Sequence, residues 1–310
     1  MSEREIVCAD LTAALAELEC DGFRLDVIYP ADDPHTAVLT GNGETVRLTS
    51  RPGAPPPSHA LPAFAPAFLI TRGGGSGEGR AGMLYRDLIP GRLGGRYIAS
   101  HITIPEGGPV ADWVHFHRIA LQLIYIRRGW VKLVYEDQGE PFMAHDGDLV
   151  LQPPGIRHRV LESSPGLEVI EISSPALHET FADHEMALPT GRNDPLRNFG
   201  GQRFVRHIAG QTPWTPFDGA EAQETSIRDA TNGLAEARTI RAVSATIAFE
   251  PHDGELVFGF VLEGSARLEF GEGFDVGSGD AFVIPPHQAW KVDAATPDFR
   301  LLHVSTSKQS

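Results

Sequence analysis

The chain has 310 residues, long enough for two domains of ordinary size with a full core in each. It carries 26 basic against 41 acidic residues, a net charge of −15, and such a surface repels phosphate backbones, which argues against nucleic-acid binding. No apolar run approaches the roughly 20 residues that span a bilayer, and the opening MSEREIVCAD lacks a basic stretch followed by an apolar one, so a soluble, cytoplasmic protein is expected.

Ser2 and Glu5 fit a capping box, and Leu11, Leu15 and Leu18 share one helical face, which predicts a helix over residues 3–19 that stops at Asp21-Gly22. Cys8 and Cys20 lie in or beside that helix, roughly 18 Å apart along it and out of disulfide reach, and read as plain thiols of a reducing compartment. Short strands follow around residues 23–29, 37–39 and 45–48, with Gly41-Asn42-Gly43 as a hairpin turn. This helix, the phrase GFRLDVIYPADDP and the hairpin resemble half of a vicinal-oxygen-chelate module, the βαβββ unit of the glyoxalase group. The only histidine nearby is His35, so residues 1–52 are expected to be an accessory α+β unit that holds no metal itself.

RPGAPPPSHALPAFAP, residues 51–66, reads as a semi-rigid linker, and a glycine-rich break follows at 71–82; residues 53–82 are taken as the connection between units. Neither glycine run has the context of a phosphate loop. From residue 83 onward the pattern is one of short strands and turns, with strands over 96–104, 121–126, 131–135, 148–152 and 167–172. Residues 177–186 have helical character, and their histidines, His178 and His184, read as surface residues.

Within this β region stands His115-Phe116-His117, followed by Gln122 and Gly129, and answered by Gly147-Asp148-Leu149-Val150-Leu151-Gln152-Pro153-Pro154-Gly155-Ile156-Arg157-His158. Two histidines one residue apart on a strand share a face, because side chains alternate with period 2, and can share one ion. Gln122 and His158 supply a third and a fourth donor if the following strands fold back beside the first. Three imidazole nitrogens and an amide oxygen suit a divalent transition ion and leave room for water or substrate.

The two segments resemble the paired motifs of the cupin superfamily, G, five residues, HxH, three or four residues, E, six residues, G, then G, five residues, PxG, two residues, H. Here His115, His117, Gln122 and Gly129, then Gly147, Pro153, Gly155 and His158, carry the match, with Gly108 one residue further from the pair than the motif has it; Gln122 stands where the family has glutamate. The resemblance implies an antiparallel jelly-roll barrel over residues 83–190 with the ion near one mouth. Counting from Gly264 as from Gly129 reproduces the turns in the second half, where Gly279, Asp280, Pro285 and Pro286 match Gly147, Asp148, Pro153 and Pro154. The ligand positions there become Glu250, His252, Val257 and Trp290, with His287 close by. Valine and indole cannot coordinate, so residues 195–306 are expected to be a second barrel that has kept its turns and lost its ligands, and one metal per chain is expected. The fold class expected is therefore mainly β, two tandem cupin barrels behind a small α+β unit.

A two-barrel chain with metal in the first barrel resembles gentisate-type ring-cleavage dioxygenases, and the four-donor set resembles quercetinase-like enzymes with glutamine in place of glutamate. These resemblances imply Fe(II), with Mn, Ni, Zn and Cu as alternatives, and a dioxygenase acting on a small oxygen-rich phenolic or keto acid chelated to the ion. A lyase or isomerase of a sugar or keto acid, and a binding or sensing module without turnover, are the rival readings. Arg157 and Arg159 should face away from His158, and His101 is a candidate for a group lying behind the ligands. Trp113, Phe116, Tyr125 and Tyr135 are either apolar walls of the pocket or plain core. A homodimer or larger assembly and a small-molecule substrate complete the expectation.

Overall fold

The computed structural model describes residues 2–58, 60–79 and 82–309; the linker reading at His59 and the glycine-break reading at Arg80 and Ala81 fall outside the described residues. The chain is mainly β, built as two barrels and a small α+β unit. In the first barrel, one sheet runs Thr180–Ala182, His115–His117, His158–Ser163, Trp130–Tyr135 and Phe142–His145 in spatial order. Its opposing sheet is centred on Leu121–Arg128, Leu167–Ser174 and Ile98–Ile104. The second barrel repeats the plan with a seven-stranded sheet centred on Ala235–Ala242, Arg300–Thr306 and Val257–Glu263, and a four-stranded sheet carrying Ile247–Phe249 and Trp290–Asp293.

Period 2 decides what each barrel holds. On Leu121–Arg128 the odd residues Leu121, Leu123 and Tyr125 join a core shared with Phe258, Phe260, Leu302 and Val304 of the second barrel. The even residues turn into the first barrel, Gln122 and Ile124 to line its cavity and Ile126 to join the core around it. The seven-stranded sheets of the two barrels thus pack face to face, and each Leu, Ile or Phe so buried contributes about 1.5–3 kcal/mol. Charge spans the same junction: Arg96 donates from Nε and Nη2 to the two oxygens of Glu255 at 2.8 Å each, and the Tyr97 hydroxyl donates to Glu255 at 2.9 Å. All three groups are buried, so removal of one partner would cost about 3–5 kcal/mol.

Three segments differ from their sequence expectations. Residues Ser2–Val7 form a strand paired in parallel with Glu44–Thr49, and the helix is confined to Leu11–Cys20, where the Asp10 side chain caps it by accepting from Ala13 N at 3.0 Å. Pairing with a distant strand outweighs the local capping signal of Ser2 and Glu5. The resulting β-α-β-β-β order is that of the module this unit resembles, and Thr36–Gly41 and Glu44–Thr49 form the hairpin about Asn42-Gly43. Within the expected linker, Leu69–Thr71 is a strand that covers the edge strand Ala281–Ile284 of the second barrel, while Phe68 stacks on Phe270 with ring centres 4.5 Å apart. Within the expected helix 177–186, Thr180–Ala182 is instead a strand, sandwiched between His115–His117 and Arg24–Tyr29. The N-terminal unit is thereby hydrogen-bonded into the sheet that carries the paired histidines.

Candidate metal centre

His115 and His158 are direct cross-strand partners, which sets their rings 4.2 Å apart, and His117 lies two residues along the same face with its ring 5.2 Å from that of His158. The turn returning the chain to His158 is tied to the histidine strand by Gly155 N–H, which donates to His117 O at 3.2 Å with Gly155 at a φ of 75° that favours glycine. One ligand atom from each of the three buried histidines lies within 4.8 Å of the others, so small ring movements bring all three about 2.1 Å from a single ion.

The backs of the rings are held in the way metal sites hold them. His115 Nδ1 is 2.8 Å from Trp113 O and His158 Nδ1 is 3.0 Å from Ile156 O. A carbonyl only accepts, so each Nδ1 carries the proton and each Nε2 presents its lone pair. Asp112, buried behind His115 with Oδ1 at 3.4 Å from Nδ1, reinforces this and anchors the His158 strand by accepting from Val160 N at 2.9 Å. His117 Nδ1 meets Thr180 Oγ1, its cross-strand partner's hydroxyl, at 3.2 Å. Three buried imidazoles, two of them oriented by backbone carbonyls behind Nδ1, fit a divalent transition ion.

Gln122 lies in the same cavity, buried, and its amide is hydrogen-bonded at both ends. Its Oε1 accepts from Gln152 Nε2 at 2.9 Å, and its Nε2 donates to Glu171 Oε1 at 3.1 Å. Gln152 in turn accepts from the Tyr135 hydroxyl at 2.5 Å and has its Nε2 3.5 Å from His158 Nε2. The cavity, about 90 Å³, is walled by apolar residues such as Ile102, Ile124, Leu133 and Val169 around these polar groups. Glu171 is the lining carboxylate, and sequence reasoning missed it. The alternation of LEVIEISS does show it on the face of Leu167 and Val169, opposite to Ile170 and Ile172.

Other expected neighbours lie elsewhere. His101 is not behind the ligands: Ile102 and Ile104 take the cavity face of its strand, and His101 turns to the second barrel, its ring 6.0 Å from Phe260. There Arg86 Nη2 donates to its Nδ1 at 3.2 Å, and its Nε2 donates to Glu168, which also pairs with Arg127. His178, expected at the surface, is buried with its ring 5.5 Å from that of His117, whereas His184 is exposed and bonds Leu25 O. Arg157 does face away from His158, over the Phe116 ring at 4.1 Å and paired with Asp183. Of the four aromatics, Tyr135 lines the cavity, Tyr125 belongs to the barrel junction, Phe116 lies on the outer face, and Trp113 packs between His115 and the N-terminal unit.

In the second barrel the cross-strand pair equivalent to His115 and His158 is Phe249 and Trp290, stacked at 3.8 Å. His303 stacks on Phe249 with ring centres 5.5 Å apart. Glu250, His252 and His287 are not assembled: Glu250 and His287 are exposed, and His252 Nε2 bonds Ile284 O at 3.1 Å. Burial, aided by the charges of Arg238 and His252, pushes the His303 pKa down to about 3. Its folded value lies below the unfolded one, so the unfolded chain binds the extra proton and stability falls as pH drops below about 6.5 toward 3. Between pH 7 and pH 5, His303→Phe should therefore lose about 2 kcal/mol less stability than the parent in urea unfolding.

The sequence matches no protein-family model and no curated protein. Solved structures do match: a putative glyoxylate-induced protein of Pseudomonas aeruginosa (TM-score 0.57, 13% identity, 84% of this chain and 96% of that one). Salicylate 1,2-dioxygenase of Pseudaminobacter salicylatoxidans matches with a TM-score of 0.56 and 17% identity over 79% and 86% of the chains. An oxalate decarboxylase variant of Bacillus subtilis matches with 0.54 and 10% identity over 84% and 81%. At such identities the likeness speaks for the fold, and all three are bicupin proteins. The chain has the bicupin fold, two tandem jelly-roll barrels with the histidine cluster in the first.

Proposed function

We propose that this chain is a metal-dependent oxygenase that holds one divalent ion, Fe(II), on His115, His117 and His158 and acts on a small oxygen-rich molecule chelated through two oxygens. The observation that carries this reading is the cluster of three buried imidazoles in one cavity, with the Gln122 amide beside them. On a six-coordinate ion three donors leave three positions, enough for a bidentate substrate and one further small molecule. The ion, when bound, supplies Lewis acidity and, as iron, electrons for oxygen chemistry. Trp113, Ile156 and Thr180 hold the three rings, apolar residues wall the cavity, and Gln152 and Gln122 link the ligand face to Glu171. The two free cysteines suit a reducing, cytoplasmic setting in which Fe(II) persists.

Glu171 favours a second reading, a lyase or isomerase in which a carboxylate moves protons while the metal only polarises an oxygen. Oxalate decarboxylase of Bacillus subtilis, which shares this fold, has Mn(II) centres. Oxygen uptake by the Fe(II)-loaded protein against a panel of phenolic, keto and hydroxy compounds separates the two. We expect consumption only when substrate is present. Product formed anaerobically with Zn or Ni in the site would replace the oxygenase by the lyase, and a ligand that binds without turnover under either condition would leave a sensing module.

A further inference from the structure

We infer that this site takes a short aliphatic substrate, two adjacent oxygens carried on about two or three carbons, and refuses a six-membered ring; the inference rests on the metal-centre reading above. The class is that of short hydroxyketones and of 2-keto and 2-hydroxy compounds of the same length, and the phenolic compounds fall outside it.

The alternation of the strands closes the space beside the histidines. Tyr135 and His158 face each other across one strand pair, and two residues along, where side chains return to the same face, Leu133 stands opposite Val160. In the opposing sheet Glu171 is neighboured in the same way by Val169, which stands opposite Ile102. All of these side chains line the one cavity, so each of these polar groups has a branched apolar one as its next neighbour along the strand. Val160, Val169 and Ile102 branch at Cβ, which restricts their rotamers. Each of the four strands is also paired on both sides, so neither side chains nor backbone give way easily to a larger guest.

Volume sets the limit. The cavity holds about 90 Å³. A dry apolar cavity of about 150 Å³ accommodates benzene. Scaled from that, the chamber has room for about four non-hydrogen atoms, and an ion on the histidines would take part of it. Two oxygens on a short carbon chain match this space, whereas a ring bearing two oxygens is about twice the size. Among the described residues no lysine or arginine lines the cavity. A second charged group at the far end of the guest would therefore leave water with no cation to receive it, and the far end is a hydrogen or a methyl group.

Calorimetric titration of zinc-loaded protein with two hydroxamic acids tests this, because acetohydroxamic and benzohydroxamic acid share one chelating head and differ only in the group behind it. An open site would prefer the phenyl compound, which buries more apolar surface. We expect the reverse order, with acetohydroxamic acid bound and benzohydroxamic acid at least about tenfold weaker. Leu133→Ala and Ile102→Ala each cut back a branched group in the wall, and each should strengthen benzohydroxamic acid at least about tenfold while leaving the acetyl compound within about twofold. Equal or tighter binding of the phenyl compound by the parent overturns the inference, whether or not the variants fold. So does failure of acetohydroxamic acid to bind zinc-loaded protein, or two folded variants that gain nothing. Zinc content, measured first, keeps the two readings apart: a parent without zinc loses the metal centre and this inference with it, whereas a zinc-loaded parent that prefers the phenyl compound keeps the centre and loses only the size limit.

Discussion

His158→Ala should abolish stoichiometric metal, taking the content from one ion per chain to near zero. His158 comes from the opposite side of a strand pair to His115, so it closes the cluster across the sheet, and alanine leaves two histidines on one strand. Metal that binds only the folded chain stabilises it, by about 2.7 kcal/mol when present at a hundred times its dissociation constant. The parent should therefore melt at a lower temperature after chelator treatment, and the variant should show no such difference. That comparison removes the packing cost of the substitution, which falls on both metal-free and metal-treated variant alike and arises from the ring stacked on Tyr135. Metal content unchanged in the variant would remove His158 from the ligand set.

How much of the fold and the site is legible in the sequence follows from the range of the interactions involved. The three histidines and the turn before His158 lie in short motifs whose fixed spacing and period 2 put them on one face, and the resemblance of those motifs to cupins implies both barrels. Glu171, Thr180 and His178 reach the site through strand pairing between distant segments, and no local pattern says which strands will be neighbours, whereas Asp112 stands only three residues before His115. The parity of His101 is readable as alternation, but which parity faces the cavity depends on where the second barrel packs. Counting offsets also fails by one in the second barrel. Gln122 stands seven positions after His115, whereas Val257 stands eight after Phe249, so Phe249 and not Glu250 stands opposite Trp290. The extra residue hides the aromatic stack that fills that barrel.

Removal of residues 1–52 should cost the protein its metal affinity and much of its solubility, although the proline-rich stretch after them suggests a separable unit. Ile28 and Val27 pair with Thr180 and Phe181, and that strand pairs in turn with all three residues of His115–His117. Truncation would leave Thr180–Ala182 as an open edge, free to slip or to recruit another chain, and with it the Thr180 hydroxyl that touches His117. It would also uncover Trp113, whose indole packs on the core of the N-terminal unit and whose carbonyl accepts from His115. Size-exclusion chromatography and metal analysis of the truncated chain check this, and a monodisperse protein with full metal and an unchanged melting temperature would show that the unit is dispensable. Trp113→Ala isolates the same brace in the full-length chain. It keeps the strand pairing and the backbone carbonyl but removes the ring 5.2 Å from His115, so we expect a folded protein whose metal affinity falls several-fold, with oxygen uptake reduced in proportion to the metal retained.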